Sequence, residues 1–307
     1  MKYKVYIDGQ EGTTGLQIGS RLQQREDIEL LTIESENRKN TERRQELMAQ
    51  ADLVFLCLPD QAAKEAVTLV DPTHTRVIDA STAHRVNPDW TYGFAEIGNR
   101  EAIKKAKLLA NPGCHATGFL SIAAPLTQMG ILPKDYPVTA YSLTGYSGGG
   151  KKMIAQYEND KTEGLFSPRI YGLNLNHKHL PEMQKFSNLQ HPPVFSPIVD
   201  DYYKGMATVL SFQNELLNGN PGAGEILTAL QDFYAGEQLI TVVSPEENLL
   251  AANVFAGKDT LQITVSGSES QTMVTARFDN LGKGASGAAV QNMNIMLGFP
   301  ETRGLNL

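Results

Sequence analysis

The sequence predicts an α/β fold, with a doubly wound parallel sheet over about the first third of the chain and an α+β domain after it. Three observations carry that expectation. The chain opens on a strand pattern, a glycine-rich turn and a helical pattern. Short all-apolar runs then recur with helical stretches between some of them, as strands covered on both faces require. Beyond Gly113 the strands lengthen and look antiparallel.

Taken in order, Tyr3–Asp8 alternates and is rich in β-formers, so it reads as a strand. Leu16, Ile18 and Leu22 follow the glycine turn at roughly helical spacing. Ile28–Ile33, Leu53–Leu58, Val77–Ala80 and Leu108–Ala110 read as strands, with Gln61–Val70 a helix among them. A helix over Thr117–Met129, stopped by Gly130 and Pro133, opens the second region. Strands are expected at Val138–Leu143, Met206–Gln213, Leu239–Val243, Leu261–Val265 and Met273–Phe278. The last two flank the polar turn Ser266–Gln271, which contains Gly267, and predict a hairpin. From Lys283 to Leu297, Ala285, Ala288, Ala289 and Met296 fall at helical spacing.

Composition narrows the function. Hydrophobic residues make up 41% and charged residues 20%, the balance of an ordinary globular protein. The net charge is −7 and the basic residues are scattered, so no nucleic-acid partner is expected. No apolar run approaches the ~20 residues a membrane span needs, and the N-terminus runs straight into a strand pattern without a signal-peptide core. Two cysteines cannot make a disulfide framework, so a cytoplasmic location is expected.

Gly9-Gln10-Glu11-Gly12-Thr13-Thr14-Gly15 directly follows the first strand. Glycine lets backbone amides approach a pyrophosphate, whose charge a helix N-terminus favours. The bland counterpart is a tight strand-to-helix turn without ligand. Two residues rather than one separate the first glycines, unlike the common dinucleotide fingerprint. Glu34 is the nearest candidate for a ribose-binding acid, and Ser35, Asn37, Arg38 and Lys39 follow it. Such residues suit a 2′-phosphate and favour NADP over NAD, although a solvated polar loop would look the same.

Asn111-Pro112-Gly113-Cys114-His115 ends a strand and precedes a helix. That placement puts Cys114 near a helix N-terminus, where dipole and amides stabilise a thiolate and can hold an oxyanion. Asn111 is a second oxyanion donor or a turn residue. Cys57, inside an apolar strand pattern, reads as a small buried hydrophobe. His177-Lys178-His179-Leu180-Pro181-Glu182 concentrates two histidines, a lysine and a carboxylate, and an extended chain would project His177 and His179 to one side. A metal pair has the same spacing, but no further ligand cluster accompanies it, so no metal is expected. A general acid–base histidine serving the thiol is the better account. His74 and His191 lie in proline-containing loops and are expected to be exposed. Arg85 suits a phosphate or carboxylate clamp, with a surface salt bridge as its plain counterpart.

Together these segments resemble the N-acetyl-γ-glutamyl-phosphate reductase family in its shorter form, over essentially the whole chain. Asn111-Pro112-Gly113-Cys114 with Thr117-Gly118 and Pro125 carries the resemblance most strongly, and His177–Met183 is similar to the family's His-x-His-x-Pro-Glu segment. Gly9–Gly15 resembles its cofactor loop, Gly145–Lys151 its second glycine loop, and Asp279–Gly284 with Gln291-Asn292 its C-terminal return. Asp79–Arg85 resembles a further family stretch, with departures before the arginine.

The resemblance implies an NAD(P)-binding Rossmann domain at 1–113 and 281–307, and a glyceraldehyde-phosphate-dehydrogenase-like α+β catalytic and oligomerisation domain at 114–280. It implies NADPH-dependent reduction of N-acetyl-glutamyl 5-phosphate to the 5-semialdehyde with release of phosphate, in arginine biosynthesis, by a homodimer or homotetramer. Cys114 is then the nucleophile and His179 the acid–base residue, with Arg85, Asn111, His177 and Glu182 holding substrate. Gly9, Gly12, Thr13, Thr14, Gly15, Ser35, Arg38, Ser147, Gly148, Gly149 and Asn280 would hold NADP. The loop at Gly148–Gly150 suits close approach of a nicotinamide, with a plain flexible loop as the alternative.

Three other functions stand beside this one. Aspartate-semialdehyde dehydrogenase shares architecture, cofactor and thioester chemistry, but the paired-histidine segment argues against it. A non-catalytic NADP-binding regulator need not keep Cys114, His179 and Arg85. A relative acting on a carrier-bound substrate in lysine synthesis is the third.

Overall fold

A computed structural model describes residues 2–307. They divide into two compact units: the residues up to Pro112 with Ala285–Leu305, and Gly113–Gly284 with Asn306–Leu307.

The first unit runs β1 (Tyr3–Asp8), α1 (Thr13–Leu22), β2 (Ile28–Leu31), α2 (Thr41–Gln50), β3 (Leu53–Leu56), α3 (Asp60–Val67), β4 (Arg76–Asp79), β5 (Thr91–Tyr92), α4 (Arg100–Lys105) and β6 (Leu108–Ala110). Its strands form one parallel sheet in the order β2-β1-β3-β4-β6-β5. The two-residue period of a strand sends Val5 and Ile7 to one face and Tyr6 to the other. On the first face they meet Ile18 and Leu22 of α1 and Ile103 of α4; on the second, Leu47 and Met48 of α2 pack with Val54, Leu56 and Val77. Burying one such side chain contributes about 1.5–3 kcal/mol, against about 0–1 kcal/mol for an exposed ion pair, so two covered faces hold this unit.

Several strands end earlier than their apolar runs. β3 ends at Leu56, although the Cys57 N–H still donates to the Asp8 carbonyl of β1 at 2.8 Å, and Pro59 caps α3 just beyond. β2 stops at Leu31, and a short 3-10 turn at Ser35–Asn37 follows.

The second unit contains α5 (Cys114–Gln128), β7 (Thr139–Gly145), α6 (Gly150–Glu158), β8 (Arg169–Ile170), α7 (Leu180–Ser187), β9 (Val194–Asp200), β10 (Met206–Gln213), α8 (Ala223–Phe233), β11 (Ile240–Val243), β12 (Leu261–Gly267) and β13 (Gln271–Phe278). Its sheet runs β11-β12-β13-β10-β7-β9-β8. It is mixed rather than antiparallel throughout: β11 pairs β12 and β7 pairs β9 in parallel. β9 escapes the sequence pattern because Pro197 interrupts its β-forming run. β12 and β13 do form the hairpin, with longer strands, so its turn shrinks to residues 268–270.

Helix α5 lies close on this sheet because Gly118 has no side chain: a Cβ there would overlap Thr208 and Phe278. Pro125 inside the helix lacks the N–H that would reach the Ser121 carbonyl. The hydroxyl of Tyr234, just past α8, donates to that carbonyl at 2.7 Å and satisfies it. The expected helix start at Thr117 is therefore one turn late.

Helix α9 (Gly287–Leu297) returns the chain to the first unit, after a wide turn at Gly282–Ser286 that delays the expected start at Lys283. The unit borders also sit a few residues from the expected 113/114 and 280/281. Glu182 accepts the Gly113 N–H, and Asp279 accepts those of Leu281 and Gly284, holding these residues to the second unit. Asn306 is held there too, by backbone N–H donation to Asp259 at 2.8 Å.

Candidate active site

In the second unit Gly113 is the N-cap of α5, in extended conformation, and Cys114 is the first helical residue. The N–H and hydroxyl of Thr117 both donate to the Gly113 carbonyl, at 2.8 and 3.1 Å, closing the first turn. That turn carries no acidic residue, so the partial positive charge of the helix end is left to act on the thiol. Gly284 lines the other side of the cysteine, where a Cβ would sit 3.0 Å from that of Cys114.

Helix α7 supplies the next groups. Pro181 stands in its first turn and His179 is its N-cap. Glu182 is 1% exposed; its Oε2 accepts the Gly113 N–H at 3.2 Å while Oε1 lies 3.9 Å from Nε2 of His179. One carboxylate thus serves both the cap of the helix that begins at Cys114 and the ring of His179. Residues 177–179 turn rather than extend, and His179 donates its backbone N–H to Nδ1 of His177 at 3.3 Å. The two rings still meet edge to face, with centroids 4.9 Å apart. Burial, then the charge of Lys178, pushes the His177 pKa down to about 4, so this ring is neutral at neutral pH.

The sequence reasoning missed His115. Its ring bonds to Ser142 and Tyr171 and packs against His177 and His179 at centroid distances of 5.3 and 5.6 Å. The available signal was a histidine inside a mostly apolar helix whose residues 115–127 are all buried.

The second glycine loop is a short 3-10 turn over Tyr146–Gly149. Asn280 organises it: its Nδ2 donates to the Ser147 hydroxyl at 3.0 Å and its Oδ1 accepts the Gly205 N–H at 2.9 Å. Gly148 leaves room beside that amide, and a Cβ on Gly149 would collide with Met153. Both ends of the Asn280 amide thus hold protein.

In the first unit the glycine turn is built for close approach. Gly9 has φ +87, and a Cβ there would overlap the Cys57 carbonyl; one on Gly15 would lie 2.6 Å from the Gly9 carbonyl. Gly12 caps α1 with no side-chain cap, and Thr13, Thr14 and Gly15 form its first turn without an acid. An anion fits such an end. Arg38 leans onto the same loop, 3.1 Å from Glu11, and donates to the Ser35 hydroxyl at 3.0 Å. Glu34 points elsewhere, paired with Arg43, whose guanidinium holds its carboxyl down at about 2. A cation near the loop, with Glu34 engaged by Arg43, suits a 2′-phosphate better than a bare ribose.

Asp79 accepts from the Ser81 N–H and hydroxyl and lies 2.6 Å from Nδ1 of His84, which stacks on Trp90. Arg85 is buried rather than in a surface salt bridge; it donates to the carbonyls of Asn111 and Ala80 at 3.0 and 3.2 Å. Asn111 is 1% exposed: its Nδ2 donates to the Ala285 carbonyl and its Oδ1 accepts from Asn292. It anchors the strand end rather than presenting an oxyanion donor. Cys57 is only partly buried as a residue, but burial of its thiol, then the charges of Asp79 and Asp8, push its pKa up to about 12. His74 and His191 are exposed.

Residues 4–106 match the family described as semialdehyde dehydrogenase, NAD binding domain, and residues 114–280 match semialdehyde dehydrogenase, dimerisation domain. N-acetyl-gamma-glutamyl-phosphate reductases of Brucella ovis and Brucella canis are 46% identical over 309 residues, covering 97% of this chain and 100% of each relative. Among solved structures, aspartate semialdehyde dehydrogenase II of Vibrio cholerae, complexed with ASA, matches with a TM-score of 0.75 at 17% identity, over 97% of this chain and 99% of that one. The enzyme of Candida albicans with NADP matches at 0.68 and 14%, again over 97% and 99%. At such identities the structures establish the fold alone.

Proposed function

Because this chain belongs to the semialdehyde dehydrogenase family, in its N-acetyl-gamma-glutamyl-phosphate reductase branch, we propose that Cys114 is its nucleophile and His179 its acid–base residue. The enzyme reduces N-acetyl-L-glutamyl 5-phosphate to N-acetyl-L-glutamate 5-semialdehyde and phosphate with NADPH, a step of arginine biosynthesis. Cys114 at the first position of a helix without a first-turn acid is the observation that carries the residue assignment.

His179 receives the thiol proton as Sγ attacks the acyl carbon, and the neighbouring Glu182 carboxylate balances the positive charge this creates. The carbon–oxygen bond to phosphate breaks, leaving a thioester on Cys114. The first amides of α5 face the charge that develops on the acyl oxygen. NADPH, when bound, supplies the hydride that converts the thioester to a thiohemiacetal. Its carbon–sulfur bond then breaks, releasing the aldehyde and restoring the thiolate. Arg85 and His177 are assigned to the substrate's anionic and polar groups, while Glu182 and Asn111 act by positioning.

For the cofactor, Gly9, Gly12, Thr13, Thr14 and Gly15 hold the pyrophosphate, Ser35 and Arg38 the 2′-phosphate, and Ser147, Gly148, Gly149 and Asn280 form the nicotinamide-side loop. A cytoplasmic homodimer or homotetramer is the assembly we propose; the match to a dimerisation domain and the absence of a disulfide support it. No helix of the described residues is long and apolar enough to cross a membrane.

The reverse reaction tests the substrate. Protein given N-acetyl-glutamate semialdehyde, phosphate and NADP should form NADPH only when phosphate is present. Phosphate-dependent NADPH from aspartate semialdehyde alone would overturn the assignment.

A further inference from the structure

Residues directly opposite each other in a sheet share a face, so the β12–β13 pairing separates two surfaces. Leu261 and Phe278 are paired on one face, where Phe278 meets Gly118 of α5. Gln262 and Arg277 are paired on the other, together with Thr264 two residues along β12. Residues 244–257, between β11 and β12, form neither helix nor strand. Between them and this second face lies a cavity of about 370 Å³, within the roughly 300–1,000 Å³ of small-molecule sites. The segment is tied down around it. Arg277 donates to the Ala251 carbonyl at 3.4 Å and lies 5.7 Å from the Phe255 ring centre, and the Gly257 N–H donates to Asp279 at 2.5 Å.

The floor of the cavity holds polar groups that the protein leaves unmatched. Arg277 gives a second bond to Oε1 of Gln262 at 2.7 Å, but its Nε is buried without a partner. Among the described residues no carboxylate pairs with this guanidinium. Thr264 is 1% exposed, and its hydroxyl also lacks a partner. Burial lowers the Arg277 pKa with no carboxylate to offset it, whereas the bond to Asp8 raises that of Arg44. A cation without a counter-ion and a buried hydroxyl without a bond are both costly to keep. A carboxylate, which only accepts, would answer both.

The remaining lining narrows the ligand further. Glu246 and Glu247 border the same cavity and are exposed. Two carboxylates against one guanidinium leave a surplus of negative charge, which repels a phosphate dianion and attracts cations. A matching ligand therefore brings one carboxylate and more than one positive group. Val243, Leu250 and Phe255 add apolar wall that suits an aliphatic stem.

We propose that this cavity binds an α-amino acid with a cationic side chain, its carboxylate on Arg277 and Thr264 and its two cationic groups on Glu246 and Glu247. The site lies on the face of the sheet away from α5 and requires nothing of Cys114 or of the reductase assignment.

Calorimetric titration of the whole protein with L-arginine and L-lysine, without NADPH or acyl phosphate, tests it apart from the reaction. Both should bind saturably, with one ligand per chain. Agmatine, which lacks the carboxylate, and Nα-acetyl-L-arginine, which lacks the α-ammonium, should each bind about tenfold more weakly. Inorganic phosphate should not compete. Arg277→Gln should raise Kd about tenfold, and so should the double change Glu246→Gln with Glu247→Gln at the exposed rim. Thr264→Val keeps the side-chain shape, should raise Kd about fivefold, and covers the case in which Arg277→Gln does not fold. No saturable binding of either amino acid overturns the proposal, and so does binding that the rim and Thr264 variants leave unchanged. Displacement by phosphate would make the cavity a plain anion site, against the proposal. A smaller sedimentation coefficient in the rim variant would give the cavity to a second copy of the chain, with the same consequence.

Discussion

The backbone N–H of Gly113 donates to Oε2 of Glu182 at 3.2 Å, tying the cap of the helix that begins at Cys114 to a buried carboxylate on α7. Because the other oxygen of that carboxylate faces His179, the start of α5 and that histidine are registered through a single side chain.

Removing Glu182 should therefore cost stability as well as turnover. Glu182→Ala leaves a buried N–H without its acceptor, a loss of roughly 1–3 kcal/mol in urea unfolding. Glu182→Gln keeps an amide oxygen and should cost clearly less. Equal losses in the two variants would contradict the Gly113 bond as the origin.

The two cysteines should separate cleanly. Cys114→Ala is expected to abolish NADPH oxidation while NADPH binding, followed by its fluorescence, persists. Cys57→Ala should retain substantial activity, because its thiol, pushed up to about 12, stays protonated at neutral pH. Comparable losses from both would remove the nucleophile assignment.

Glycines in two helices should respond with opposite signs. Gly118→Ala inserts a methyl into Thr208 and Phe278, and overpacking of about 1–3 kcal/mol outweighs the helix-propensity gain. Gly224→Ala on α8 meets nothing within 4 Å, so the propensity gain of up to about 1 kcal/mol stands alone. Thermal midpoints should fall for the first and rise for the second; a stabilised Gly118→Ala would mean that α5 does not sit this close to β10.

Stability should weaken in acid. His177 has its pKa lowered to about 4 from 6.5, so between those values the unfolded chain binds the proton more readily. The contribution is complete above the unfolded value and is lost as pH falls toward the folded one; His115, lowered to about 3, acts with the same sign. The thermal midpoint should drop from about pH 7 to about pH 5, and His177→Asn should shrink that drop. An identical drop in the variant would assign the effect to other groups.

Arg38 should discriminate between cofactors. Arg38→Ala is expected to raise KM for NADPH roughly tenfold while leaving that for NADH nearly unchanged, since only NADPH carries the 2′-phosphate. Equal changes for both would place Arg38 outside the phosphate site.

Much of the fold was legible in the chain. Apolar runs such as Leu53–Leu56, with no polar alternation, mark strands buried on both faces, and the parallel first sheet follows from them. Cys114 was legible because a Pro-Gly turn before a helical pattern places a thiol at a helix end, a local property of a few residues. β9 was not, because Pro197 breaks its pattern and only its partners β7 and β8 make it a strand.

What the sequence determined by itself was the set of reactive groups and their local settings: a glycine turn, a capped cysteine, a histidine pair beside a carboxylate. Tertiary structure alone decided which polar side chains meet. It turned Glu182 toward the Gly113 N–H, drew Asn111 into a buried amide network and linked His115 to Tyr171 through residues distant in the chain. Spacing along a chain carries the periodicity of one helix or strand, whereas a buried hydrogen bond between elements exists only once packing has excluded water from both partners.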